Sequence, residues 1–91
     1  RHQSIAQNDL TSQLYSVLDL FTYFAKNKTL LQHHPLLTKD VSHKITNFRV
    51  KYQVWKANKP LQEQCAVQRV LWNRIFMLCD ELQPTINLCL K

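Results

Sequence analysis

Residues 9–26 read DLTSQLYSVLDLFTYFAK, and Leu10, Leu14, Val17, Leu18, Phe21 and Phe24 recur along them every three or four positions. That recurrence matches the 3.6-residue turn of an α-helix and gathers the apolar side chains on one face, so the stretch predicts a helix over 9–26. Asn8 or Asp9 suits the N-cap, because a short polar side chain accepts the unbonded amide hydrogens of a first turn. Asn27 stands where the helix should close.

The same period returns twice further along. Thr29 can open one short turn to His33, and Pro35 holds His34 out of helical geometry. Leu36 and Leu37 then read as an apolar plug. Thr38 is placed to cap a second long helix, with Asp40 near its positive end. Val41, Ile45, Phe48 and Tyr52 carry it to about residue 52. Residues 53–59, QVWKANK, read as a loop. Pro60 fits the first turn of a third helix, where its missing N–H costs nothing. The apolar stripe Leu61, Cys65, Val67, Val70, Leu71, Ile75, Leu78, Cys79 and Leu82 runs until Pro84 stops it. No alternating apolar–polar run between turn signals predicts a strand. The fold class is therefore all-α, a compact bundle of three long helices with one or two short ones. Residues 1–8 are expected as a flexible N-terminal segment, 9–83 as the bundle, and 84–91 as a short final helix or linker. Arg1 in place of Met reads as the cut end of a longer chain, and its polar surroundings do not read as a secretion signal.

Glycine is absent from the 91 residues. Turns that need a left-handed residue must then fall to Asn, with Asn27 and Asn58 the candidates. Phosphate-cradling loops, which need bare backbone, are excluded on the same ground. Cys65, Cys79 and Cys89 are odd in number and set among apolar residues, so they read as buried free thiols in a reducing compartment rather than a disulfide framework. Cys65 and Cys79 would stand roughly 21 Å apart on one helix, and no pair of ligands has zinc-finger spacing, so neither a metal nor a cofactor is expected. His33 and His34 are not aimed at any nucleophile by their spacing, and the adjacent Asp80 and Glu81 point apart on a helix. The chain is not expected to be an enzyme.

The net charge is +6, and the excess is local: between Lys26 and Lys59 the basic residues number eight against the single acid Asp40. Such a field draws acidic partners, protein or nucleic acid. Phe48, Tyr52 and Trp55 interleave there with Arg49, Lys51, Lys56 and Lys59. Phe48 is core. A loop Trp either folds back over the core or stands out as an anchor, and Trp and Arg are enriched at binding hot spots. With Trp55 outside, Trp55→Ala would weaken a partner and leave the fold intact.

The order of these stretches resembles the N-terminal domain family of transcription elongation factor TFIIS, and within it the integrase-binding domain of lens epithelium-derived growth factor and its relatives. The matching segments are Val17-Leu18-Asp19-Leu20-Phe21, residues 41–48 (VSHKITNF), Trp55-Lys56-Ala57-Asn58-Lys59 and residues 65–75 (CAVQRVLWNRI). The resemblance implies a nuclear docking module of transcription or chromatin machinery that captures short acidic, aromatic-containing disordered segments. It implies a site at the loop Trp55, Lys56 and Ala57, with Asp9 as the acidic contributor before the first helix. The full set expected at the site is Asp9, Arg49, Lys51, Tyr52, Trp55, Lys56, Ala57, Asn58 and Lys59, on a monomer. The competing readings are nucleic-acid binding through residues 44–59 and a homotypic death-fold-like assembly, the latter from residues 36–45 and the domain size.

Overall fold

The structure is a computed structural model that describes the backbone of residues 2–91 and the surroundings of side chains from Asp9 onward. Its helices are α1 (His2–Lys26), α2 (Lys28–His33), α3 (Pro35–Ala57), α4 (Lys59–Gln64) and α5 (Ala66–Cys89), and no strand occurs among the described residues. The all-α bundle of three long and two short helices is the fold.

Each joint between helices is one residue wide. Asn27, His34, Asn58 and Cys65 sit at φ/ψ of −128/51, −132/84, −109/89 and −147/111. Among the described residues none has positive φ, so the left-handed role expected of Asn27 and Asn58 does not arise. All four joints have negative φ, and only Cys65 is fully extended, so the helices break without the left-handed geometry that favours glycine. Asn works at these joints through its side chain. The Asn27 amide donates to the Tyr23 carbonyl at 2.8 Å, and the Asn58 side chain accepts from the Leu61 amide at 3.2 Å.

α5 is the spine, packing against α1, α2, α3 and α4. It runs parallel to α1: Gln68 Nε2 donates to Thr11 Oγ1 at 3.1 Å near one end, and Lys28 lies 3.8 Å from Glu81 near the other. It runs antiparallel to α3, with Trp55 against Trp72 at one end and Arg49 against Asp80 further along. α1 and α3 both rest on α5 without packing backbone to backbone, and α2 bridges them at one end. Phe21, Leu31, Val41, Ile45, Ile75, Leu82 and Ile86 are fully buried at the centre.

Several boundaries differ from those expected. α1 begins at His2, so Asp9 lies within it as an exposed residue, accepting from Gln13 Nε2 at 3.3 Å, and does not cap it. Thr38 lies one turn inside α3, where His34 holds the cap position; the buried Thr38 hydroxyl donates to the carbonyls of Leu31 and His34, tying α2 to α3. Leu36 is no plug, being 82% exposed. The third long helix is split at Cys65, because Gln62 Nε2 donates to the Lys56 carbonyl at 2.6 Å and folds α4 back onto the end of α3. Pro84 sits inside α5 and does not end it. A helical proline costs about 3 kcal/mol, but Leu82 and Ile86 flank it fully buried, and that packing carries the helix on to Cys89.

Candidate partner-binding groove

Trp55 is neither in a loop nor exposed as an anchor. α3 continues through Trp55 to Ala57, and the Trp55 side chain is only 5% exposed. Its ring stacks on Trp72 at 5.4 Å between centroids with 16° between planes. Val41, Ile45, Phe48, Tyr52 and Trp55 are spaced four, three, four and three, so Trp55 is the next member of the buried stripe. Its loop-like neighbours hid that continuity. Trp55 is a core residue.

The rest of the expected set divides among different surfaces. Tyr52 is buried, its ring stacked 4.5 Å from Phe76 and its hydroxyl donating to Asn73 Oδ1 at 3.0 Å. Arg49 and Lys56 lie on the Phe76 side of α3. Arg49 pairs with Asp80 at 3.2 Å and covers the Phe76 ring, while Lys56 covers Tyr52. Both cations are thus held over the aromatic cluster. Ala57, Asn58 and Lys59 form the exposed turn between α3 and α4. Asp9 stands on α1. Lys51 alone of the set faces the opposite side of α3, where it enters the apolar concavity that α1 and α3 form together.

That concavity follows from the packing. Because α1 and α3 both lean on α5 and do not close on one another, a groove of about 510 Å³ is left between them. Trp72 of α5 and Phe48 of α3 form its floor, and Leu10, Leu14, Val17, Leu20 and Phe21 form the α1 wall. Gln13 and Ser16 edge it on α1; Lys44, Asn47 and Lys51 edge it on α3. At 100° per residue, Lys44 and Lys51 fall on the same edge of α3, two turns apart. Among the described residues no carboxylate lines the groove. Lys44 is engaged by Asp40 at 2.6 Å, but the pair is exposed and of the i, i+4 kind, so it holds the ammonium only weakly. Lys51 has no ion pair among the described residues.

The nucleophile inventory is quiet. Cys79 is fully buried, and desolvation pushes its thiol up from 9.0 to about 11 against the opposing pull of Arg49. It stays protonated and shielded at neutral pH. Cys65 and Cys89 are half-buried rather than sealed. Among the described residues no three His, Cys, Asp or Glu side chains gather as a metal site, and no helix is long and apolar enough to cross a membrane.

The sequence reading missed this groove, although two of its signals were in view. Leu10, Val17 and Leu20 widen the apolar face of α1 beyond what one neighbouring helix covers, and Lys44 and Lys51 repeat at seven. Compared with models of known protein families, with curated proteins and with solved structures, the chain matches none.

Proposed function

We propose that this domain is a protein-docking module, and that it receives an acidic, apolar segment of another chain in the groove between α1 and α3. The observation that carries the reading is the composition of that groove: an apolar floor and wall with two lysines along one edge and, among the described residues, no acid in its lining. Each Leu or Phe seated there contributes about 1.5–3 kcal/mol by leaving water. Contacts to Lys44 and Lys51 add roughly 0.2–1 kcal/mol each and chiefly speed encounter. The expected affinity is moderate, in keeping with a regulated contact. The reading is non-enzymatic. The TFIIS-type resemblance supports a docking role in nuclear transcription machinery through its sequence stretches, with the site moved from the Trp55 turn to the groove.

The test is a titration of the ¹⁵N-labelled domain with a designed acidic peptide carrying Leu anchors, beside a copy with Lys in place of every Glu. The acidic peptide is expected to shift the amides of Val17, Leu20 and Lys51 saturably, and Leu20→Glu is expected to abolish the shifts. Leu20 is half-buried on the groove wall and packs against the edge of the core, so the Tm and amide dispersion of Leu20→Glu are read alongside to show that it stays folded. Met77→Gln, on the exposed outer face of α5, is the control and should leave binding as it was. Equal binding of both peptides, or shifts centred on another face, would defeat the proposal.

A further inference from the structure

We infer that the segment taken by the groove binds as an α-helix, making the fourth member of the bundle, with two acidic residues seven positions apart facing Lys44 and Lys51. This rests on the docking reading above and narrows it to one conformation and one charge register.

Three observations carry it. The first is the character of the walls. α1 and α3 are helices whose backbone groups are already bonded within themselves, so they offer no open edge to an extended chain. A strand laid across Phe48, Trp72 and Val17 would bury its own N–H and C=O groups unpaired, whereas a helix brings those bonds with it.

The second is dimension. The α1 wall runs from Leu10 to Phe21, about 16 Å along the helix axis. A helix of about 11 residues spans that length. Two helices that share α5 and leave their third side open present the seat a fourth helix fills in a four-helix bundle.

The third is phase. Lys44 and Lys51 are two turns apart on one edge, about 10.5 Å. Acids at i and i+7 on a docked helix meet both while the apolar face between them stays on the floor. In a strand the same distance is about three residues, and an odd number places the second acid on the opposite face. Only the helical segment brings both acids and its apolar anchors to the groove together. The whole-chain excess of +6 favours the acidic partner over a basic one.

The experiment uses the full chain and three synthetic peptides of about 14 residues, long enough to cover the groove. The first has leucines at alternating three- and four-residue spacing and two glutamates seven apart. The second has one central residue replaced by Pro. The third moves one glutamate so that the pair is five apart. Binding is followed by fluorescence anisotropy, helicity by circular dichroism, and location by amide shifts. The first peptide is expected to gain helicity on binding and to bind about tenfold or more tightly than the proline copy, a difference of about 1.4 kcal/mol, and about two- to fivefold more tightly than the five-apart copy. Lys51→Glu should lose that advantage, and a peptide with Lys in place of the facing Glu should restore it. If the proline copy binds the groove as well as its parent, docking stands and the helical assignment falls. If the five-apart copy binds equally, the charge register falls. If none of the peptides moves the groove amides, the docking reading falls too. Self-association of the domain through these residues in sedimentation, or their displacement by a DNA duplex instead of the peptide, likewise overturns the inference.

Discussion

Trp55 shows how strongly one side chain is fixed by its neighbours. Its ring lies between Tyr52 at 5.8 Å and Trp72 at 5.4 Å. Removing a buried aromatic of this size leaves a cavity as well as losing transfer energy, at a cost of about 3–5 kcal/mol. Trp55→Ala is therefore expected to lower unfolding stability by that amount in urea denaturation, with Trp55→Phe well below it. A Trp55→Ala protein with unchanged stability would mean that the stacked pair contributes nothing to the core. Among the described residues the buried indole Nε1 atoms of Trp55 and Trp72 have no hydrogen-bond partner, so the pair is held by its packing. At this scale the sequence was legible where the apolar period was unbroken, as for Phe21, Ile45, Phe48 and Ile75. It misled at Trp55, where basic and small neighbours mimic a turn. The spacing of side chains was the better guide than the company they keep.

Among the elements, α5 departs furthest from what its residues predict. Pro84 removes an amide donor and crowds the carbonyl four residues earlier, that of Asp80. Intrinsic preference ends the helix there; the burial of Leu82, Ile86 and the half-buried Cys89 extends it. Pro84 is exposed, so its ring has no packing role to lose. Pro84→Ala is expected to stabilise the domain by about 1–3 kcal/mol, read as a higher Tm and slower amide exchange over residues 80–88. A neutral or destabilising result would mean that α5 relies on the proline's restriction of the unfolded chain. Helix existence was readable from periodicity throughout, and helix ends were not. Ends depend on side-chain contacts across the joints, such as Gln62 to the Lys56 carbonyl and Thr38 to that of Leu31, which the apolar period does not encode.

Across the whole molecule, the basic excess is partitioned by the fold. Arg49 and Lys56 are set over aromatic rings on one side of α3, while Lys44 and Lys51 edge the groove on the other. A stretch that reads as one continuous positive patch in the sequence thus becomes two surfaces, and only the groove side joins charge to open apolar area. This is why the basic excess was legible from composition but the groove was not: the groove exists only once α1 and α3, far apart in sequence, are both placed on α5. The doubly substituted Lys44→Glu/Lys51→Glu domain is expected to associate with an acidic peptide roughly tenfold more slowly at low ionic strength. The difference should shrink towards nothing near about 1 M salt, where the Debye length is about 3 Å. Stopped-flow traces in which only dissociation changes would remove the steering role of these two lysines.

The one-residue joints at Asn27, His34, Asn58 and Cys65 bear on how such a chain can diverge. An insertion within a helix rotates everything beyond it by about 100° per residue and throws the core stripe out of phase. With so little slack between helices, length changes have almost nowhere to settle except at the two ends of the chain. Kindred sequences should drift by replacing outward-facing residues while conserving their count, so that relatedness would survive longer in residue spacing than in residue identity.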